Sequence, residues 1–299
     1  MILCCGEALI DMLPRQSDAG EDAFAPYAGG AVFNTAIALG RLGAPTGYLG
    51  GLSNDLFGKL LSETLGASNV DHGLCPRSDR PTTLAFVTLI NGHAQYAFYD
   101  EGTAGRMLET SDLKSLPDTV EALFFGGISL VSEPAADTYA ALCTGETNRP
   151  IMIDPNIRPG FITDEARYRN RLAGMLANSD VVKLSDEDMA WLGSSPEELL
   201  ADRTNVVLIT RGSEGVDIVT AAGTIQIAAE RAEVVDTVGA GDTFNAGFLA
   251  GLQKDGLLSR NALSQATPDD LASAAQLGVK AAAITVSRAG ANPPWASEL

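Results

Sequence analysis

The residues best suited to chemistry are two aspartates around a turn of small residues near the carboxyl end of the chain. Residues 233 to 252 read EVVDTVGAGDTFNAGFLAGL. We predict that Asp236 closes a short apolar strand, that the turn is Gly239, Ala240 and Gly241, and that Asp242 opens a helix. A carboxylate often caps a helix, but this turn also leaves backbone N–H groups open to a phosphate.

A carboxylate beside a phosphate repels it, so its presence needs a chemical reason. Phosphoryl transfer to a hydroxyl supplies one, because the carboxylate can take the proton of the hydroxyl while the amides hold the transferring group. The segment therefore indicates a kinase that acts on a small alcohol, with Asp242 as its general base.

Polar residues also follow several predicted strands, and ligands of open α/β sheets bind at the carboxyl ends of strands. Five such ends carry groups suited to a sugar or a phosphate: Asp11; Asp154, Asn156 and Arg158; Lys183 and Ser185; Thr210, Arg211 and Gly212; and Gly239 to Asp242. Gly29-Gly30 precedes a helix whose Asn34 is expected to face the same edge, where its amide can bind a pair of hydroxyls.

The elements that position these residues alternate between apolar runs and helical patterns. The predicted strands are 2–10, 48–52, 122–126, 151–154, 181–184, 206–210 and 216–220, with a short one at 234–235. The predicted helices are 32–42, 135–143, 164–178, 186–192, 242–253 and 269–283. This order predicts one α/β domain over residues 1–299, with a mostly parallel sheet covered on both faces.

Two segments depart from that alternation. Residues 82 to 100 contain two alternating strands joined by Asn91-Gly92, a favoured hairpin turn. Residues 12 to 28 are also poor in helix signals. We interpret the segments at about 12–28 and 82–104 as a small β-lid over a substrate, in preference to an ordinary edge extension of the sheet.

The composition of the chain limits which partners it can bind and indicates the compartment in which it folds. The net charge of −18 repels nucleic acid and anionic membranes, so we expect neither as a partner. Four cysteines without CxxC spacing, two of them adjacent at Cys4 and Cys5, indicate free thiols in a reducing cytoplasm. Neither a signal peptide nor a membrane-spanning run is indicated. With two histidines, a histidine-based metal site is not expected.

Competing motifs are absent from the sequence. It contains no G-x-x-x-x-G-K-[ST] segment, and no G-x-G-x-x-G follows the first predicted strand. A glycosidase pair of Asp236 and Asp242 would require an aromatic cleft, and only two tryptophans are present.

The chain resembles the ribokinase-like (PfkB) family of carbohydrate kinases over nearly its whole length. The motifs that carry the resemblance are AGGAVFNTAIALGRLG at 28–43 and DTVGAGDTFNAGFLAGL at 236–252, with GEALIDM, DPNIRP and ITRGSEG in the expected order. Within the family it is most similar to bacterial fructokinases, through GEALID and YAFYDEGTAGRML.

The resemblance implies a three-layer α/β/α ribokinase-like fold with a small β-lid, and transfer of the γ-phosphate of ATP to a sugar hydroxyl with Mg²⁺. It implies that Asp242 is the base, with an anion hole formed by Gly239, Ala240 and Gly241. The implied sugar-binding residues are Asp11, Gly29, Gly30, Asn34 and Arg158. Arg158 and Lys183 would also meet the phosphates, and the implied nucleotide-binding residues further include Thr210, Gly212 and Gly215.

Metal binding and assembly also follow from the resemblance. Asp188 stands where the family has the glutamate of an N-x-x-E segment, which organises Mg²⁺ through water. Asp236 and the turn at 289–290 match the positions where members of the family bind a monovalent cation, which would be K⁺. Val238 stands where threonine is frequent. Lid strands in this family often pair between subunits, so the resemblance implies a homodimer through the lid.

The choice of sugar stays open. Fructokinases of this type often have an aspartate where Gly105 stands. A 2-keto-3-deoxygluconate kinase would need an arginine near the lid for the substrate carboxylate; Asp100 and Glu101 oppose that reading, whereas Arg106 favours it. Other ribokinase-like kinases, including nucleoside kinases, and a non-catalytic sugar-binding regulator are the remaining alternatives.

Overall fold

Strands and helices alternate along most of the chain, as the apolar runs predict. The computed structural model describes residues 1–90, 93–200 and 203–299. Its strands are β1 (Ile2–Cys5), β2 (Leu9–Gln16), β3 (Asp22–Gly29), β4 (Thr46–Leu49), β5 (Leu52–Ser53), β6 (Val70–Asp71), β7 (Arg77–Ser78), β8 (Leu84–Ile90), β9 (His93–Tyr99), β10 (Ala122–Gly126), β11 (Ile151–Asp154), β12 (Val181–Ser185), β13 (Val206–Thr210), β14 (Val216–Thr220) and β15 (Gly223–Ile227). Its helices are α1 (Ala31–Arg41), α2 (Leu56–Ala67), α3 (Ala135–Gly145), α4 (Glu165–Ala177), α5 (Asp186–Leu192), α6 (Pro196–Leu199), α7 (Ala240–Lys254), α8 (Arg260–Gln265) and α9 (Pro268–Val286).

The larger sheet has the strand order β15-β14-β13-β12-β11-β10-β1-β4-β6. In this sheet order, all neighbouring strands between β13 and β6 pair in parallel. Strands β14 and β15 extend the other edge as antiparallel strands. Parallel neighbours require crossover connections, and most of the connections here contain a helix. The predicted mostly parallel sheet is confirmed.

Apolar clusters cover both faces of this sheet. Ile2 and Cys4 belong to a cluster with α1, α7 and α9, whereas Leu3 and Cys5 belong to a cluster with α3 and α4. Successive side chains of a strand point to opposite faces, so both faces of the sheet are buried. The predicted three-layer arrangement is confirmed. All four cysteines are free and buried.

Helix α7 is held tightly against α9 by small residues. A methyl group added at Gly247 would lie 2.5 Å from the Cα atom of Gly278, and one added at Gly251 would lie 2.5 Å from the Cα atom of Ala274. The two backbones can therefore approach closely. Phe244 and Phe248 of α7 belong to the apolar core, and the ring of Phe244 lies against Gly278 of α9. This packing fixes the first turn of α7 at the edge of the sheet.

A second sheet, which we call the lid sheet, has the order β3-β2-β8-β9. Strands β2 and β3 pair antiparallel, as do β8 and β9, and β2 pairs in parallel with β8. These strands contain most of both segments that were predicted to form a lid. The predicted turn at Asn91-Gly92 lies outside the described residues.

The strand predicted over residues 2–10 belongs to both sheets, so that prediction is wrong. Strand β1 ends at Cys5, and β2 begins at Leu9 in the lid sheet. Between them, the carbonyl of Gly6 accepts hydrogen bonds from the hydroxyls of Tyr48 (2.7 Å) and Tyr139 (3.0 Å), which hold the chain as it leaves the larger sheet. Asp11 therefore lies within a lid strand and not at a strand end of the larger sheet. The strand predicted over 48–52 likewise divides between β4 and β5.

The strand predicted at 234–235 is also wrong, because residues 228–239 have no strand. The backbone N–H groups of Val235 and Asp236 both donate to the carbonyl of Val286, at the end of α9 (2.8 and 3.2 Å). Val234 and Val235 are exposed on the surface. Helix α7 begins at Ala240, two residues earlier than predicted.

The remaining predicted helices are observed with small differences at their ends. Helices α2, α6 and α8 were not predicted. In the part of the chain that the structure describes, no helix has the length and apolarity needed to cross a membrane.

Candidate active site

The turn of Gly239, Ala240 and Gly241, which we call the phosphate turn after its predicted role, meets the lid sheet at a cavity of about 360 Å³. The cavity brings together eight of the predicted site residues: Asp11, Gly30, Arg158, Lys183, Gly239, Ala240, Gly241 and Asp242. Of the five predicted strand ends, those of β11, β12 and β13 are strand ends of the larger sheet. The other two are not strand ends of that sheet: Asp11 lies in β2 of the lid sheet, and the turn at Gly239 follows a segment without regular structure.

The turn before α7 has two glycines with different roles. Gly239 has a φ of 78°, and a methyl group added there would lie 2.6 Å from the Cβ atom of Ala291, so a side chain is excluded. At Gly241 the nearest atom to an added methyl group is Nζ of Lys183, at 3.5 Å. The first N–H groups of a helix have no partner within the helix. The first turn of α7 therefore faces the lysine without an intervening side chain, as an anion site requires.

Asp242 is a buried carboxylate at the cavity, with 8% of its surface exposed. Its Oδ2 atom accepts a hydrogen bond of 2.9 Å from Nδ2 of Asn34. The pKa of Asp242 is raised to about 7, mainly by burial; the hydrogen bond from Asn34 and the charge of Lys183 lower this pKa, and the carboxylates of Asp154 and Glu7 raise it. A carboxyl group that titrates near neutrality is suited to accept a proton at physiological pH.

Lys183 is buried beside this carboxylate and is held by a carboxylate of its own. Its Nζ atom donates to Oδ2 of Asp154 (3.0 Å), and the same oxygen accepts a hydrogen bond of 2.7 Å from Nδ2 of Asn245. Asn245 lies one turn after Asp242 on α7, and its Oδ1 atom has no hydrogen-bond partner among the described residues. The lysine is thus fixed next to the phosphate turn.

The lid sheet contributes an acid and an aromatic ring to the cavity. Burial raises the pKa of Asp11 to about 6. Gly29 does not line the cavity, but a methyl group there would overlap the carboxylate of Asp11, so this glycine makes room for the acid. Phe98 of β9 also lines the cavity and packs edge-on against Phe161, with 4.7 Å between ring centroids.

Three of the predicted nucleotide residues, Thr210, Gly212 and Gly215, do not line the cavity, whereas Lys183 and the two glycines of the turn do. Thr210 ends β13 and pairs in register with Ser185 of β12, the strand that carries Lys183. Gly212 and Gly215 follow in the turn to β14, and both have positive φ. This places all three beyond Lys183 along the edge of the sheet.

The two predicted metal residues also lie outside the cavity lining. Asp188 is buried; its Oδ1 atom accepts from the N–H of Ile157 (2.8 Å), and its Oδ2 atom accepts from the N–H and the hydroxyl of Ser185 (2.9 and 2.8 Å). Asp236 accepts from the N–H groups of Val238 (3.0 Å) and Gly290 (2.9 Å), so the two segments predicted for a monovalent cation are in contact. The described residues contain no cluster of three or more histidine, cysteine, aspartate or glutamate side chains that could hold a metal ion.

Among the polar residues at or next to the cavity, Glu7 and Asn245 were not among the candidates, and Asp154 and Asn156 were noted at a strand end without a specific role. Glu7 lies in the GEALID segment, and Asp154 and Asn156 follow β11, so each had a sequence signal. Asn156 has a φ of 45° and donates its N–H to Oδ1 of Asp154 (3.2 Å). Asn245 had no local signal, because only the fold brings it to Asp154.

Comparison with known proteins agrees with this geometry. Residues 1–298 match the pattern of the pfkB family of carbohydrate kinases. The chain is 55% identical to a fructokinase of Rhizobium leguminosarum bv. trifolii over 87% of this chain and 82% of that protein. It is 31% identical to a fructokinase of Klebsiella pneumoniae over 90% of this chain and 87% of that protein.

Solved structures support the same assignment. A fructokinase from Xylella fastidiosa with bound ATP superposes with a TM-score of 0.88 at 27% identity, over 97% of this chain and 93% of that chain. The fold is the ribokinase-like α/β fold. With the family pattern matched over nearly its whole length and with this arrangement of Asp242, Lys183 and the glycine turn, the chain belongs to the pfkB family of carbohydrate kinases.

Proposed function

We propose that this protein is a fructokinase that transfers the γ-phosphate of ATP to a hydroxyl of fructose. The observation that carries the proposal is the buried carboxylate of Asp242, which lies in the first turn of α7 beside the phosphate turn. The fructokinases among the relatives support the choice of fructose.

In the proposed reaction Asp242 accepts the proton of the sugar hydroxyl. The hydroxyl oxygen then bonds to the γ-phosphorus, the bond from that phosphorus to the bridging oxygen breaks, and ADP leaves with the electron pair. The N–H groups of Gly239, Ala240 and Gly241 hold the transferring group, and Lys183 offsets its negative charge. Closure of the lid sheet would exclude water and limit hydrolysis of ATP.

The other predicted residues take the roles that their positions allow. Sugar contacts fall to Asp11, Gly30, Asn34 and Arg158, with Gly29 making room for the carboxylate of Asp11, and nucleotide contacts fall to Thr210, Gly212 and Gly215. Mg²⁺ bound with ATP would neutralise charge on the phosphates. Asp188 would act on Mg²⁺ through water, because it does not line the cavity and its two oxygens already accept three hydrogen bonds. Asp236 and the turn at Gly290 would hold K⁺.

The charges around the cavity favour a neutral sugar over 2-keto-3-deoxygluconate. The cavity is lined by two cationic side chains, Lys183 and Arg158, and by four carboxyl side chains. The carboxyl groups are those of Glu7, Asp11, Asp154 and Asp242. Arg106, which would have to bind the carboxylate of that rival substrate, forms an ion pair of 2.9 Å with Asp100 and does not line the cavity. A sugar acid would therefore meet excess negative charge without a free arginine from the lid.

We also propose that two copies associate through the outer face of the lid sheet. On that face the ring of Phe86 contacts those of Phe24 and Tyr99, with centroids 5.0 and 5.5 Å apart. Phe24 and Tyr99 are 43% and 62% exposed, and exposed apolar patches mark association sites. Sedimentation equilibrium should give a dimer for the wild type and a monomer for the double variant Phe24→Ser/Tyr99→Ser. A monomeric wild type would contradict this.

We infer a cytoplasmic location, because all four thiols are free in a chain whose proposed substrate is ATP. Fractionation of the source cells tests this, and recovery outside the cytoplasm would contradict it.

The proposed function is tested by a coupled ADP-release assay with ATP and Mg²⁺ across fructose, 2-keto-3-deoxygluconate, ribose and adenosine. We expect turnover that is selective for fructose. Preference for the keto acid would contradict the charge argument, and preference for adenosine would indicate a nucleoside kinase. Absence of turnover with sugar binding retained would indicate a regulator.

A further inference from the structure

We propose that Glu7 is a positioning residue for phosphoryl transfer: its carboxylate holds the start of helix α1 and, through Asn34, orients the base Asp242. This inference rests on the proposed function for its kinetic part. It assigns to the acidic residue of the GEALID segment a role that its sequence position does not disclose.

The carboxylate of Glu7 accepts hydrogen bonds from backbone N–H groups of two segments that are distant in sequence. Its Oε1 atom accepts from Ala31 (2.8 Å) and Val32 (3.4 Å) at the start of α1, and its Oε2 atom accepts from Ser129 (3.2 Å). Helix α1 has Gly30 at its N-cap and no acidic residue in its first turn. Glu7 therefore replaces a local cap from 24 residues earlier in the chain, and its charge suits the helix dipole.

The surroundings of Glu7 leave it little freedom. Gly30 has a φ of 111°, and a methyl group there would lie 3.0 Å from the carbonyl oxygen of Glu7. A methyl group at Gly127 would overlap the Glu7 carboxylate. The peptide before Glu7 is fixed by the hydroxyls of Tyr48 and Tyr139, which donate to the carbonyl of Gly6. The carboxylate is thus held in one place against α1.

Asn34 transmits this position to the base. The N–H of Asn34 donates to the carbonyl of Gly30 (2.8 Å), which closes the first turn of α1, and its side chain donates to Asp242. A shift at the start of α1 therefore displaces the donor that orients the base. Misplacement of a catalytic group by about 1 Å can cost about 100-fold in rate.

A double-mutant cycle tests whether Glu7 acts through Asn34. Glu7→Gln keeps the size of the side chain but directs an NH₂ group at a backbone N–H, and Asn34→Ala removes the donor to Asp242. Each is expected to lower kcat for fructose by about 10- to 100-fold, with less than about a twofold change in KM for ATP. The double variant should be no slower than the slower single variant, whereas losses that multiply would overturn the proposal.

Glu146→Gln is the matched control. One carboxylate oxygen of Glu146 also accepts two backbone N–H groups, those of Asn148 (2.7 Å) and Arg149 (3.0 Å), but it lies outside the cavity. We expect this variant to lose stability without the loss in kcat. Equal kinetic losses in both glutamine variants would show that Glu7 matters for stability alone, and would overturn the proposal.

A second readout does not depend on the sugar. The side-chain amide of Asn34 gives a ¹⁵N–¹H NMR signal, which Asn34→Ala identifies, and Glu7→Gln should shift it. If Glu7→Gln does not fold, Glu7→Asp withdraws the carboxylate by one methylene and should shift the same signal. An unmoved signal overturns the role of Glu7 whether or not fructose is turned over. A wild type that fails to phosphorylate fructose while this signal shifts refutes only the proposed function.

Discussion

The side chain of Asn34 donates a hydrogen bond of 2.9 Å to the carboxylate of Asp242, which lies 208 positions later in the chain. The bond joins α1, which begins at the proposed sugar side of the cavity, to α7, which begins at the phosphate turn. If Asp242 is the base, as we propose, one of its oxygens is committed to the protein, which restricts the directions from which a hydroxyl can deliver its proton.

Replacement of Asp242 by asparagine should separate activity from stability. Asp242→Asn is expected to lower turnover by about 10²- to 10⁴-fold while both substrates still bind, because it removes the general base. The raised pKa of Asp242 means that the folded state binds a proton more tightly than the unfolded state, so ionisation destabilises the fold as pH rises from about 4 to about 7. The variant should therefore be more stable above pH 7, by up to about 4 kcal/mol.

Turnover assays, calorimetric titration with fructose and with ATP, and denaturant unfolding at pH 5 and pH 8 measure these effects. Near-wild-type turnover would disprove the base assignment. An equal change in stability at both pH values would show that the carboxyl group of Asp242 does not titrate as its burial requires.

The pH dependence of activity should follow Asp242 and should respond to Asn34. We expect kcat/KM for fructose to rise with pH through about 7, as Asp242 loses its proton. The carboxylates of Asp154 and Glu7 raise this pKa, and Lys183 and Asn34 lower it. Asn34→Ala should therefore move the rise to higher pH. Profiles from pH 5 to 9 measure it, and a shift to lower pH would contradict the hydrogen bond between the two side chains.

Two glycine-to-alanine variants, two residues apart, should fail in different ways. At Gly241 an added methyl group fits but lies 3.5 Å from Nζ of Lys183, so Gly241→Ala should fold normally and raise KM for ATP or lower kcat. At Gly239 the methyl group meets Ala291 in a left-handed backbone conformation, so Gly239→Ala should be destabilised by about 1–3 kcal/mol. Melting curves and ATP titrations of both distinguish the outcomes; unchanged ATP kinetics for Gly241→Ala would refute the anion hole.

The pair of Lys183 and Asp154 should show the cost of an unpaired buried charge. Lys183→Met removes the cation that faces the phosphates and leaves the carboxylate of Asp154 buried, so we expect slower turnover and a loss of about 3–5 kcal/mol of stability. The double variant Lys183→Met/Asp154→Asn should recover most of that stability but not the turnover. Recovery of turnover in the double variant would show that Lys183 serves only to neutralise Asp154.

Local patterns in the sequence predicted the sheet, most helices and the phosphate turn. These elements depend on continuous apolar runs and on closely spaced glycines, so a few neighbouring residues determine them. The predictions were wrong where residues distant in the sequence determine the path of the chain. Asp11 was assigned to the wrong sheet because the exit of the chain at Gly6 depends on the hydroxyls of Tyr48 and Tyr139. Val234 and Val235 have the composition of a strand but lie exposed beside the end of α9.

The electrostatic state of the site was beyond sequence reasoning for a similar reason. The pKa of Asp242 depends on its burial and on Asp154, Glu7 and Lys183, which three other segments supply. Asn245 reaches Asp154 only because α7 packs on the sheet. The sequence therefore predicted which residues belong to the site, but not which side chains they contact.

The phosphate turn depends on the segment after α9, where Gly290 donates to Asp236 and Ala291 packs against Gly239. A ribosome delivers the chain from its amino end, so this support is the last part of the site to emerge. A nascent or trimmed polypeptide that ends before Gly290 would hold every residue of the proposed catalytic group and still lack a supported anion hole. We therefore expect truncation at residue 288 to yield a protein without kinase activity.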